Sequence, residues 1–337
     1  MSTKTPALLE LRKAVRIWFE KLEPNSKVCI GVSGGADSLA LAAASKLEAS
    51  NFPIDLAAVI VNHGLQKNSA EIAQFAKQQL EKLGYQDIFV GKASVQITDG
   101  LEASARRARY KVFQQAIETY NPKYFLLGHT KNDQAEGVLL GLARGSGTKS
   151  LSGMQEISGI FLRPLLQIDR ATTEIACLEA NIEFWNDPHN SNQDFTRVRV
   201  RENILPILEN EIGPGISDAL ARSAKILRED AMALDGWAEG VFRQVDPLDI
   251  EISTLADLPV AVRSRVLRLA IYAAGAPSGS ISAAHLEPIE ALVSDWRGQG
   301  HTSLPGGVKV CRISGRLSLS KPNLTSLKSR KRISSWI

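Results

Sequence analysis

Val28-Cys29-Ile30-Gly31-Val32-Ser33-Gly34-Gly35-Ala36-Asp37-Ser38, followed by the alanine-rich run from Leu39 to Leu47, is the stretch that decides the fold. The apolar residues up to Val32 read as a buried strand and the run from Leu39 as a helix, so the segment from Ser33 to Ser38 turns between them. A glycine pair in that place lets the backbone approach a phosphate closely, while the free N–H groups and the positive dipole end of the helix face the anion. No lysine follows the glycines, as in a Walker-type loop, and the third glycine of a dinucleotide fingerprint is missing. Hydroxyls and a carboxylate stand there instead. Ser33 and Ser38 can donate to phosphate oxygens, Gly34, Gly35 and Ala36 offer backbone, and Asp37 can hold Mg²⁺ against the phosphates. The plainer alternative is a strand-to-helix turn that uses glycine only for its shape.

Outward from this loop, strand-like runs at Val28 to Val32, Leu56 to Val61, Ile88 to Val90 and Tyr124 to Leu127 alternate with helix-period segments near 36–49, 69–83, 101–120 and 132–143. The alternation predicts an α/β fold, a parallel sheet with helices on both faces. Ligands of such sheets bind outside the carboxyl ends of the strands, and those ends here carry Ser33, His63 and His129 to one rim. After about Pro214 the pattern turns helical, with segments from Ile216 to Val245, Ala261 to Ala274 and Ala283 to Trp296. The turn Pro305-Gly306-Gly307 then opens a hairpin in which Val308, Val310, Arg312, Leu317 and Leu319 recur near strand spacing. The expected organisation is a catalytic domain over 1–214, a connecting helix over 215–245, a smaller helical/α+β domain over 246–320 and a basic tail over 321–337.

A chain of 337 residues with 44% hydrophobic content has room for two cores. No run of 18 apolar residues occurs and the start MSTKTPALLELRK has no continuous apolar core, so a cytoplasmic protein with no membrane partner is expected. Cys29, Cys177 and Cys311 are too scattered for a disulfide framework or a C-x-x-C site. Net charge is only +4, yet Lys321, Lys328, Arg330, Lys331 and Arg332 crowd the tail without an acid, which suits a polyanionic partner or a solvated tail.

Two further clusters bear chemistry. Glu102, Arg106, Arg109, Tyr110 and Phe113 share one broad helical face. Glu102 and Arg106 are spaced as an ordinary surface pair, whereas Arg109 brings a permanent planar charge suited to a phosphate or a developing negative charge. In Gly128-His129-Thr130-Lys131-Asn132-Asp133-Gln134-Ala135-Glu136, a helix starting near Thr130 shows His129, Asp133 and Glu136 on one side. Capping by Thr130 or Asn132, with the acids simply opposing the helix dipole, is the plain reading of the same residues. His63, in Val61-Asn62-His63-Gly64-Leu65, is likewise either a turn residue or a group beside the phosphate loop.

The pattern S-G-G-x-D-S resembles the signature of the PP-loop, or N-type ATP pyrophosphatase, superfamily. The series S-G-G-A-D-S, V-N-H-G-L, E-x-x-x-R-x-x-R-Y, G-H-x-x-x-D-x-x-E, A-R-G-S-G and R-P-L-L resembles the successive motifs of the tRNA(Ile)-lysidine synthetase family. Asp187-Pro188, Asn190, the run Arg197-Val198-Arg199-Val200-Arg201 and Leu205-Pro206 continue the likeness, with Trp296-Arg297-Gly298-Gln299-Gly300 and Leu304-Pro305-Gly306-Gly307 as its pieces in the second domain. Asn132 departs from it where many members have a second Asp, and Gly137 departs where many have Thr.

The resemblance implies a ligase that converts the wobble cytidine of CAU-anticodon tRNA(Ile) to lysidine. ATP adenylates the C2 oxygen of the cytosine, and the amine of L-lysine displaces AMP. On that expectation Ser33 to Ser38 hold pyrophosphate, with Asp37 on Mg²⁺, while His63 and His129 serve the nucleotide. Arg109 offsets charge at the activated base, and Asp133 orients or deprotonates the lysine amine. Arg197, Arg199 and Arg201, with the second domain and the tail, contact tRNA phosphates unless they are merely one face of an exposed strand. A homodimer is compatible with this reading. The rivals are a tRNA thiolase on the same fold, for which paired cysteines are lacking, and an RNA-binding protein without catalysis, which has no use for Asp37, Arg109, His129 and Asp133 together.

Overall fold

A computed structural model of the chain describes residues 6–62, 64, 69–94, 101–145, 147–185, 193 and 195–320. His63, Asp187-Pro188, Asn190 and the basic tail lie outside them. The chain divides into two compact units, Met1–Arg228 and Glu229–Ile337.

The first unit runs α1 (Ala7–Phe19), β1 (Ser26–Val32), α2 (Ala36–Ala49), β2 (Ile54–Asn62), α3 (Ser69–Lys82), β3 (Asp87–Lys92), α4 (Leu101–Tyr120), β4 (Tyr124–Leu127), α5 (Lys131–Ala143), α6 (Thr148–Leu151), β5 (Ile157–Ser158), β6 (Phe161–Leu162), α7 (Arg170–Glu179), α8 (Thr196–Arg199) and α9 (Leu205–Glu211). A π turn over Val200–Ile204 joins α8 to α9, and the division between the units falls within α10 (Ile216–Phe242). The sheet order is β3-β2-β1-β4-β6-β5, parallel except for the β5–β6 pair. The expected parallel sheet is therefore present, and its crossovers reverse direction between β1 and β4. Ligands of open α/β sheets bind beyond the strand ends at such a point.

Burial on both faces explains the composition of the centre. β1 is buried from Val28 to Val32, and α2 is buried from Ser38 to Ser45 because sheet, α1 and α7 surround it. Leu11, Val15 and Phe19 of α1 pack onto that side, each contributing roughly 1.5–3 kcal/mol. On the opposite face Phe113 of α4 meets Phe125 of β4 at 4.5 Å, and Tyr110 meets Phe161 of β6 at 5.2 Å between ring centroids.

In the second unit β7 (Asp249–Glu251), α11 (Ile252–Ala256), α12 (Val260–Ala273), α13 (Ala283–Ser294), β8 (Thr302–Ser303), β9 (Lys309–Ile313) and β10 (Arg316–Ser320) form an antiparallel sheet of order β7-β10-β9-β8 with helices. Its core is separate, built on Ile250, Val266, Ile289, Val310 and Leu317. The hairpin β9–β10 turns at Ser314 and Gly315, both at positive φ, and Pro305-Gly306-Gly307 precedes β9 as a short 3₁₀ turn.

Candidate active site

The loop after β1 is held open by its own hydroxyls. Ser38 Oγ accepts the Ser33 N–H at 3.1 Å, donates to the Gly35 carbonyl at 3.0 Å and lies 3.2 Å from Ser33 Oγ. Gly34 sits at φ +89°, a conformation that a side chain would strain. No side chain caps α2 at Gly35, so the positive end of that helix is left to an anion. The loop after β4 closes over it. A Cβ on Gly128 would stand 2.9 Å from the Asp37 carbonyl oxygen and 3.0 Å from Ser38 Cα, so only glycine lets the two loops touch.

Asp37 points into the resulting cavity, of about 750 Å³, which Arg109, His129, Asp133, Arg170 and Arg197 also line. Thr173 Oγ1 donates to Asp37 Oδ1 at 2.5 Å, and Arg170 donates to Oδ2 through Nε at 3.2 Å and Nη2 at 3.1 Å. Burial holds the Asp37 carboxyl above its usual range, against the pull of Arg170 and Thr173, and nearby Asp133 adds to the rise.

At the start of α5, Asp133 Oδ2 accepts both the Thr130 N–H at 2.8 Å and the Thr130 hydroxyl at 3.1 Å. Capping and cavity lining therefore coexist in one side chain. Its other oxygen, Oδ1, faces Arg197 Nη2 at 3.3 Å and Arg170 Nη2 at 3.9 Å. Burial opposes ionisation of Asp133, but Arg197, His129, the Thr130 N–H and Arg170 together win, and its carboxyl lies below the usual range. Glu136, fully buried one turn on, binds Arg197 Nε and Arg201 Nε at 2.6 Å each. Charge alternates along Asp37, Arg170, Asp133, Arg197, Glu136 and Arg201.

This alternation follows from helical rather than extended backbone at 196–204. Val198 and Val200 are buried, Arg197 and Arg201, four apart, turn inward to Glu136, and Arg199 turns out to the Gln193 carbonyl and Thr196. The exposed-strand reading of this run is thereby replaced, and two of its three arginines stand in the cavity with the carboxylates.

His129 Nδ1 is buried with no hydrogen-bond partner among the described residues. Burial, supported by the charges of Arg163, Arg197 and Arg109 against that of Asp133, brings its pKa down to about 4, so the imidazole is neutral at pH 7. An orphaned ring nitrogen at the rim is a ready partner for a bound polar ligand. On the far wall, the Arg106 guanidinium lies 5.1 Å over the Tyr110 ring.

Sequence reading missed Arg170, Thr173 and Trp185. The first two follow the N-cap Asp169 and, three apart on α7, share a face, a signal visible in Asp169-Arg170-x-x-Thr173. Trp185 donates its backbone N–H to the Gly34 carbonyl at 2.8 Å and packs on Phe75 at 6.2 Å, which only the fold reveals.

Comparison with known proteins agrees with this fold. Residues 8–208 match the model of the PP-loop domain, and residues 251–318 match that of the TilS substrate binding domain. A tRNA(Ile)-lysidine synthase from Thermobifida fusca is 43% identical over 322 residues, covering 95% of this chain and 99% of that protein. One from Leifsonia xyli is 46% identical over 303 residues, covering 88% of this chain and 90% of its own length. Among solved structures, the U34-tRNA thiolase NcsA from Methanococcus maripaludis, with its 4Fe–4S cluster, is similar at a TM-score of 0.56 and 20% identity. It covers 66% of this chain and 80% of its own, a likeness of fold.

Proposed function

The chain belongs to the tRNA(Ile)-lysidine synthase family, and from that membership we propose how its cavity divides the reaction among its residues. The enzyme is an ATP-using, tRNA-modifying ligase acting on tRNA(Ile). The observation that carries the detailed reading is the meeting, in one cavity, of the phosphate-cradling loop and Asp133 at the start of α5. In this reading the α2 N-terminus with Ser33, Gly34, Gly35, Ala36 and Ser38 binds the phosphates of ATP, and the wobble cytidine of a CAU anticodon enters beside Arg109. The cytosine oxygen attacks the α phosphorus and pyrophosphate leaves. The amine of L-lysine, its proton given up to solvent, then attacks C2 of the cytosine, the bond from C2 to the adenylated oxygen breaks, and AMP leaves with that oxygen.

Asp37 supplies the hard oxygen that Mg²⁺ prefers, and a bound cation would offset the burial that disfavours its charge. Among the described residues no three potential ligands cluster, so Asp37 and the phosphates themselves would hold the ion. When bound, Mg²⁺ neutralises charge on the departing pyrophosphate. Neutral His129 offers Nδ1 to the nucleotide, and Arg109 steadies the oxygen that acquires the adenylate. Asp133, held well ionised, orients the lysine ammonium; a carboxylate so acidic is a poor base.

Arg199 reaches outward and is the member of its run best placed to meet a tRNA phosphate, while Arg197 and Arg201 order the acids. The protein works in the cytoplasm on this reading, and no helix among the described residues is long and apolar enough to cross a membrane. The sulfur-transfer alternative gains no support from Cys29 and Cys177, whose buried thiols are pushed up to about 12, far from the thiolate that such chemistry needs.

The test is incubation of full-length enzyme with ATP, L-lysine and a CAU-anticodon tRNA(Ile) transcript. The expected products are AMP, pyrophosphate and a tRNA heavier by one lysine less water. ADP with phosphate, or an unchanged tRNA mass, would overturn the reading.

A further inference from the structure

The start of α7 carries Arg170 and Thr173, which together hold both oxygens of the Asp37 carboxylate. What fixes the start of α7 is therefore what aims Asp37. The first N–H of any helix lacks an intrahelical acceptor, and an N-cap side chain commonly serves its first turn. Asp169 occupies the N-cap position of α7, but its side chain makes no capping bond; it is drawn to Lys131 Nζ at 2.9 Å instead. The Arg170 N–H is met from another helix altogether. Asn132 Oδ1, in the first turn of α5, accepts it at 2.9 Å. The Lys131 N–H donates to the Ile168 carbonyl at 2.9 Å, so two consecutive residues of α5 grip three consecutive positions, 168 to 170.

We propose that Asn132 is a positioning residue for ATP binding, acting through Arg170: its side-chain oxygen caps α7 from outside and so sets the arginine that orders Asp37. The geometry also accounts for the residue found there. The position requires an acceptor, which an amide oxygen and a carboxylate oxygen provide equally, and the amide does so without a further negative charge beside Asp37, Asp133 and Glu136. The inference rests on the ATP-binding reading of the cavity.

Calorimetric titration of the full-length protein with Mg²⁺ and ATP, without tRNA, tests it. Asn132→Ala is expected to weaken ATP binding about tenfold, the size expected from stranding one partly buried N–H. Asn132→Asp, which keeps the acceptor, is expected to stay within about threefold of the parent. Asn132→Leu, similar in shape and without the acceptor, gives the same reading if alanine leaves a hole. The decisive arm is a double-mutant cycle: in an Arg170→Gln background, Asn132→Ala should weaken binding no further. Unaltered affinity in Asn132→Ala and Asn132→Leu would overturn the proposal, as would effects of Asn132→Ala and Arg170→Gln that multiply, because Asn132 would then act on the ligand directly. A parent protein that binds no ATP would instead remove the ATP-binding reading itself.

Discussion

At the scale of single residues, Asp37 and Asp133 stand close enough to share Arg170, yet their surroundings push them apart. Burial dominates at Asp37 and raises it, while Arg197 and its neighbours outweigh burial at Asp133 and lower it. Carboxylates separated in this way suit separate tasks. Asp133→Asn should therefore spare adenylate formation on the tRNA within about threefold and slow lysine transfer about a hundredfold or more, because a neutral amide loses the ammonium and misplaces it. Asp37→Ala should abolish both steps. Single-turnover measurement of adenylated tRNA, with lysine incorporation on the same samples, separates the two, and equal loss of both steps in Asp133→Asn would assign that residue to the nucleotide. Ser33 to Ser38, Arg109, His129 and Asp133 lie in short local patterns that sequence alone singles out, and the fold brings residues of each pattern to one cavity. Arg170 and Thr173 show there only the pattern of a helix start, and their bearing on Asp37 depends on α7 packing against α2, a contact more than 130 positions away along the chain.

At the scale of elements, α5 and α2 tolerate features that cost helix stability elsewhere. Gly137 lies inside α5 with nothing within 4 Å of where its Cβ would stand, so no close approach explains a glycine there. Gly137→Ala is expected to stabilise the protein by about 0.5–1 kcal/mol, read as a rise in denaturation midpoint at unchanged slope. The pairing of α1 with α2 turns on Glu48, fully buried and bound by Arg12 Nε at 2.6 Å and Arg16 Nε at 2.8 Å. Burial opposes its ionisation, but the bonds from Arg16 and Arg12 prevail and lower its pKa. Its folded value thus lies below the unfolded one, near 4.5, so its stabilisation is complete above that pH and is lost as pH falls through the folded value. Glu48→Gln should cost about 1–3 kcal/mol at pH 7, discounted for the partly exposed arginines, and the gap from the parent should narrow as the pH falls below 4.5 in a pH series of thermal melts. Period and composition revealed β1 to β4 and the helices between them. They concealed α8, because Arg197-Val198-Arg199-Val200-Arg201 alternates as a strand would, and only burial against α5 turns it into a helix with a π turn.

At the scale of the whole molecule, two units with separate cores divide a chain whose residues 8–208 match the PP-loop domain and whose residues 251–318 match the substrate binding domain. The change of pattern after Pro214 foreshadows this, because alternating strands and helices demand one architecture and a helical run with a late hairpin another. The four-stranded order of the second sheet could not be read, since β7 and β8 are too short to leave a period in the sequence. Within the first unit, one guanidinium, that of Arg170, serves both Asp37 and Asp133. Any phosphate that draws Arg170 toward itself takes positive charge from both carboxylates at once, and Asp133, still facing Arg197, then has room for a second cation. The two small substrates should therefore help one another: lysine should bind about five- to tenfold more tightly with a non-cleavable ATP analogue present, and by thermodynamic reciprocity the analogue should gain as much from lysine. Titration of each in the presence and absence of the other measures both arms. In Arg170→Gln this synergy should vanish.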